Sequence, residues 1–156
     1  MLPETQWRQF GYPRPNGEAD IEGIVIHNTG SLLTASELFN WLKDECKTSQ
    51  GTTYIVDKDE IIQVVPDTFA VYSCGKGDDY STKHLIAIEI CDNINNEDYL
   101  LGQDRAIELI KSLMEKYNIP RSQIFFHLDF DNKTRCPHTI LDLYGTKKNF
   151  LDNFIN

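Results

Sequence analysis

Two short runs constrain this chain most: Ile24-Val25-Ile26-His27 and Ile124-Phe125-Phe126-His127, each an unbroken apolar stretch that closes on a histidine. Apolar residues without polar alternation are the pattern of a strand buried on both faces, which needs helices above and below it. A third run, Leu85-Ile86-Ala87-Ile88-Glu89-Ile90-Cys91, is the most strand-like of all and carries one carboxylate, Glu89, among apolar neighbours. A carboxylate in such a place is costly unless it is paired or linked to a metal.

The rest of the chain supplies the covering helices. Thr34-Ala35-Ser36-Glu37 matches a capping box, and Leu38, Leu42 and Cys46 then give a helix of about three turns one apolar face. Thr53 to Asp57 and Ile61 to Val65, joined by Lys58-Asp59-Glu60, predict a hairpin that Pro66 ends. A short strand is expected at Ala70-Val71-Tyr72-Ser73, then a loop to Lys83. A helix is expected from about Asp104 to Tyr117, closed by Pro120. After Cys136-Pro137 come a short helix through Leu143 and a terminal one from Lys147 to Ile155. Residues 1–20, with Pro3, Pro13, Pro15 and Gly17, read as an extended arm anchored on the domain by Trp7, Phe10 and Tyr12. Residues 21–156 then form one domain. Alternating strands and helices give the fold class: α/β, a central mixed β-sheet flanked by helices.

The chemistry gathers around the last strand. From His127 the chain passes through a polar loop, Leu128 to Arg135, and returns at Cys136-Pro137. An imidazole and a thiolate brought back to one place suit zinc, whose catalytic sites take three protein ligands and leave a position open. The third donor is expected from His27, which ends its strand as His127 does. His138 competes with Cys136 as a ligand, and a closed structural site would need a fourth donor from His138 or Asp129. Each histidine taken singly reads more simply as a hydrogen-bonded strand end. Glu89 has a structural alternative too, an ion pair with Lys83, Lys133 or Arg135. Asp129 either fixes a ligand imidazole or caps the loop, His84 reads as a surface residue, and Tyr54 and Tyr72 read as core or groove-wall aromatics.

Bulk properties narrow the partners. A net charge of -9 over 156 residues, with no cluster of Lys and Arg, argues against nucleic acid. No segment is long and apolar enough to span a bilayer, so no membrane partner is expected. Four cysteines, Cys46, Cys74, Cys91 and Cys136, are too sparse for a disulfide scaffold. Once Cys136 is given to a metal, the other three read as thiols, with Cys46 and Cys91 in the core. The first residues have neither a basic region nor an apolar one, which predicts synthesis in the cytosol without a signal peptide.

Taken in order, Val25-Ile26-His27-Asn28-Thr29, Tyr54-Ile55-Val56-Asp57 with Ile61-Ile62-Gln63-Val64, Ile86-Ala87-Ile88-Glu89-Ile90, and His127 to Cys136-Pro137-His138 carry a specific likeness. The chain resembles the zinc-dependent N-acetylmuramoyl-L-alanine amidases of the type-2 amidase and peptidoglycan-recognition-protein superfamily. It is most similar to the amidase domains of endolysins from phages of Gram-positive bacteria. The resemblance covers roughly residues 21–143 and implies that His27, His127 and Cys136 hold one Zn2+ ion. It further implies hydrolysis of the amide between N-acetylmuramic acid and L-alanine by a zinc-activated water, with Glu89 as general base or water-orienting group. Thr134 falls where the family places an oxyanion donor. Two departures stand out: Thr52 occupies the place of a Tyr found in many relatives, and Lys133 stands three positions before the cysteine where others have Lys two before. The implied partner is the peptidoglycan of the Gram-positive cell wall, degraded by a bacteriolytic lysin of a family in which a C-terminal wall-binding domain often follows the amidase domain. The rival is a binding module of the same fold without catalysis; such modules usually lack the cysteine ligand.

Overall fold

The computed structural model describes residues 3–8, 17–45, 51–75, 80–92 and 95–155. In chain order they form β1 (Gln6–Trp7), β2 (Gly23–Asn28), α1 (Ala35–Glu45), β3 (Tyr54–Val56), β4 (Ile61–Gln63) and α2 (Tyr80–His84). Then follow β5 (Leu85–Ile90), α3 (Asn96–Tyr117), β6 (Ile124–Phe126), α4 (His138–Tyr144) and α5 (Lys147–Phe154). The six strands make one sheet in the order β1-β4-β3-β5-β2-β6. Strands β3 and β4 pair antiparallel, and every other neighbouring pair is parallel. The sheet is mixed and helix-covered, the class expected from the apolar runs.

Alternation along the strands sorts side chains into two cores. Ile24, Ile26, Ile86, Ile88, Ile90, Tyr54 and Val56 pack with α3 residues such as Ile107, Ile110 and Leu113 and with Ile140 and Phe150. Val25, Ile55, Ala87 and Cys91 pack on the other face with Leu38, Phe39 and Leu42 of α1. Because successive side chains on a strand point to opposite faces, His27 and Glu89 fall on the α1 face with Val25 and Ala87. In the register of β2 and β5, His27 stands beside Glu89.

Several local expectations hold in detail. Thr34 Oγ1 accepts from the Glu37 amide at 3.2 Å while Glu37 Oε2 accepts from the Thr34 amide at 2.9 Å, the reciprocal box that starts α1. Asp57 closes the hairpin by accepting from the amides of Asp59 and Glu60, and its other oxygen accepts from Ala35 at the head of α1. Asn118, left-handed at φ 54, ends α3 ahead of Pro120.

Other expectations change. Helix α3 begins at Asn96, well before Asp104, capped by Asn95 accepting from the Asp98 amide. It runs through Gly102, where an added Cβ would lie 3.1 Å from the Asp57 carbonyl carbon and 3.2 Å from the Lys58 amide. That glycine is a close approach between helix and hairpin, not a break. Ala70 to Ser73 forms no strand; an isolated bridge between Phe69 and Glu18 stands there instead. The stretch expected as loop up to Lys83 holds α2. In the arm, Gln6 and Trp7 add an edge strand parallel to β4, and Arg8 bonds Ser36 and pairs with Glu60 at 3.0 Å. Trp7, expected as an anchor, is 51% exposed. Phe10, Tyr12 and Cys46 lie outside the described residues, whereas Cys91 is fully buried as expected.

Candidate metal centre

Strands β2, β5 and β6 run parallel, so their carboxyl ends open on the same edge of the sheet. That edge is where ligands of parallel α/β sheets bind. His27 is the fifth residue of β2, Glu89 the fifth of β5, and His127 follows β6 directly. The loop after His127 doubles back because the Leu128 amide donates to the Cys136 carbonyl at 3.0 Å, with Phe130 and Asp131 amides both bonded to the His127 carbonyl. One donor atom each from His27, His127 and Cys136 lies within 4.8 Å of the others. The histidine rings meet edge to face with centroids 4.8 Å apart, and Cys136 Sγ is 3.7 Å from His27 Nδ1.

The cluster sits in a cavity of about 510 Å³ whose wall includes Leu38, Trp41 and Leu42 of α1 and Tyr72. Burial, reinforced by His127, pushes His27 down to about 3, so its imidazole is neutral at any ordinary pH. Burial also lowers His127, against an opposing pull from the Asp131 carboxylate. Cys136 is pushed up to about 12, first by burial, with the Asn28 carbonyl lowering it and Glu89, Cys74 and Asp92 raising it further. Two neutral imidazoles and a thiol converging on one point are a donor set for zinc. Glu89 lines the same cavity, one of its oxygens buried with no hydrogen-bond partner among the described residues. Burial, then the nearby Asp92 carboxylate, raises Glu89 to about 7. A carboxyl raised toward neutrality beside this donor cluster can take or return a proton at working pH.

Other expected residues fall elsewhere. His138 is not in the donor group: its Nε2 is 3.3 Å from Asp92 Oδ2. Asp129 caps the loop, accepting from the Phe126 amide at 2.8 Å, and pairs with Lys147 at 2.6 Å. Arg135 pairs with Asp142 and leaves Glu89 alone. Thr134 is half-buried in the loop and stands outside the cavity wall, to which Asp131 contributes; Lys133 is exposed. Thr52 does line the cavity, but its hydroxyl faces the carbonyls of Tyr54 and Ala87 at 2.9 and 3.0 Å. Tyr54 is core, and Tyr72 is groove wall. His84 is half-buried, its ring stacked on Tyr80.

Two contributors went unread in the sequence. Asn28, next to His27 and nearly buried, accepts from the amides of Thr139 and Ile140 at 3.1 and 3.3 Å and donates to Tyr99 Oη at 3.0 Å. It therefore caps α4, a service Pro137 cannot perform, and fixes the chain after Cys136 to the strand that carries His27. Cys74, on the cavity wall, has its Sγ 3.8 Å from His27 Nε2. An Asn before a polar turn has a legible capping habit; Cys74 carried no such signal.

The family profile described as N-acetylmuramoyl-L-alanine amidase matches residues 17–139. The chain belongs to this amidase family. An endolysin of Staphylococcus phage 2638A is 25% identical over 147 residues, covering 86% of this chain and 28% of that protein. The N-acetylmuramoyl-L-alanine amidase CwlA of a Bacillus species is 31% identical over 123 residues, covering 76% of this chain and 47% of CwlA. The chain thus spans from about a quarter to about half the length of these relatives. Among solved structures, that of PlyL superposes with a TM-score of 0.88 at 22% identity, covering 99% of this amidase chain and 98% of PlyL, which shows the shared fold. No helix among the described residues is long and apolar enough to cross a membrane.

Proposed function

We propose that this amidase domain hydrolyses the amide joining N-acetylmuramic acid to the L-alanine of the stem peptide, in the peptidoglycan of Gram-positive walls. One observation carries the reading: donor atoms of His27, His127 and Cys136 within 4.8 Å of one another, beside a buried carboxyl, on the floor of an open cavity. In this reading the three residues hold one Zn2+ ion, and residues 21–156 form the catalytic domain with residues 1–20 laid on it. Bound zinc would supply Lewis acidity, polarising the scissile carbonyl and acidifying water. Glu89 receives the proton of the attacking water and returns it to the leaving amine, a service its near-neutral carboxyl suits. Thr134, on the loop between His127 and Cys136, is the candidate oxyanion donor. The name of the phage relative, an endolysin, supports a lysin that acts on the cell wall; in this reading the protein is made in the host cytoplasm and released to the wall.

The test is digestion of purified Gram-positive walls, scoring new L-alanine amino termini against new reducing sugars, with and without chelator. Alanine amines that vanish with chelator and in His27→Ala support the reading. Wall binding without amines supports a binding module instead, and reducing sugars assign the wrong bond. Thr134→Ala and Lys133→Ala then apportion the oxyanion role: the true donor loses roughly 100-fold or more in kcat.

A further inference from the structure

Cys74 has a place in the site that the ligand assignment leaves unused. Its thiol is nearly buried, 3.8 Å from His27 Nε2, while the Cys136 sulfur stands 3.7 Å from Nδ1 of the same ring. The two sulfurs flank opposite nitrogens of one imidazole. An ion held by Nδ1 and Cys136 is therefore turned away from Cys74, in keeping with a donor cluster that contains Cys136 and not Cys74. A ligating imidazole presents a lone pair on one nitrogen and carries its proton on the other, and the acceptor of that proton sets both tautomer and ring orientation. A carboxylate or a carbonyl commonly takes this part. At His27 Nε2 the atom in position is the Cys74 sulfur, which itself lies 3.7 Å from Ser73 Oγ.

We propose that Cys74 is a positioning residue whose sulfur accepts a hydrogen bond from His27 Nε2–H, holding Nδ1 toward the ligand cluster. The inference rests on the zinc reading above. Where a carboxylate or carbonyl commonly takes the outer position, this site has a sulfur. The segment carrying Cys74 follows Tyr72 along the cavity wall, so the wall that meets substrate also orients the ligand.

The test uses zinc ion alone as probe, so it does not depend on activity. In uniformly 15N-labelled, zinc-loaded wild type, a long-range 1H–15N spectrum is expected to show the His27 proton on Nε2 and none on Nδ1. Chelator competition then measures zinc affinity for the wild type, Cys74→Ala and Cys74→Ser, with circular dichroism to verify the fold. Cys74→Ala is expected to bind zinc roughly tenfold or more weakly, whereas Cys74→Ser, which keeps an acceptor, recovers most of the affinity. Equal affinity in Cys74→Ala overturns the proposal, as does a His27 Nε2 without its proton; the latter decides the matter even where Cys74→Ala fails to fold. In the cobalt-substituted protein the sulfur charge-transfer band is expected to survive Cys74→Ala and vanish in Cys136→Ser. The reverse would make Cys74 the ligand and overturn the assignment. A wild type that takes up no zinc at all brings down the zinc reading itself, and this inference with it.

Discussion

At the scale of single residues, the site works through side chains whose environments displace their ordinary protonation. On the proposed reading, Glu89→Gln keeps the shape and the three candidate zinc ligands but removes the proposed proton acceptor, so kcat is expected to fall by roughly 100- to 10,000-fold with zinc content unchanged. Steady-state hydrolysis beside metal analysis checks this. The same carboxyl also leaves a mark on stability in the zinc-free protein. Its folded value near 7 lies above the unfolded one of 4.5, so its contribution is intact below pH 4.5 and is lost as pH rises toward 7. Water reaches the residue from the cavity, so the loss is at most roughly 3 kcal/mol. His27, lowered to about 3, acts in the opposite sense, costing stability as pH falls below the unfolded imidazole range. The two slopes offset each other in the wild type. The difference in unfolding free energy between wild type and Glu89→Gln isolates the carboxyl, and it is expected to grow in favour of the Gln variant between pH 4.5 and 7. A pH-independent difference contradicts the assignment. Asn28→Ala is expected to cost about 3 kcal/mol, because it strips partners from buried groups on α4, β5 and α3 at once. Denaturant unfolding measures it, and zinc affinity is expected to fall in parallel.

At the scale of elements, packing decides what local propensity leaves ambiguous. Gly102→Ala within α3 would gain up to about 1 kcal/mol from helix propensity in an exposed helix. Here the new methyl meets hairpin backbone at 3.1 to 3.3 Å, atoms that cannot rotate aside, and overpacking of this kind costs roughly 1–3 kcal/mol. Net destabilisation is therefore expected, and a rise in Tm would contradict the close approach. The start of α3 was misread by eight residues: a glycine such as Gly102 lowers local helix propensity, whereas in the fold it is a contact. The strands were legible because burial on both faces leaves an unbroken apolar run; the same lack of alternation hid the face that His27 and Glu89 share, which the β2–β5 register decides. The capping box was legible because its chemistry is complete within four residues. Ala70 to Ser73 was not, since Val71 serves the core of the α1 face from a segment that carries isolated bridge residues and no strand among the described residues. Cys74 was illegible for a similar reason: its partner, His27, lies 47 positions away in sequence.

At the scale of the whole molecule, parallel strands gather three chemical groups that are far apart in sequence onto one edge, and α1 roofs that edge with Leu38, Trp41 and Leu42. The sheet order makes the site a property of topology: β2 lies between β5 and β6, so the strand bearing His27 touches both the strand bearing Glu89 and the strand leading to His127. Sequence order carries no trace of that adjacency beyond the residue types themselves, which is why the third ligand had to be sought a hundred residues upstream of His127. On the proposed reading this edge is a zinc amidase centre whose ligands act as one unit. Its most direct measurement is a titration of zinc into chelated protein, recording bound metal and release of L-alanine amino termini from Gram-positive walls in the same samples. Activity is expected to rise in proportion to bound zinc and to saturate at about one equivalent, with His27→Ala, His127→Ala and Cys136→Ser each failing to retain metal or to release amines. Full activity in the metal-free protein, or in any one of these variants, would contradict it.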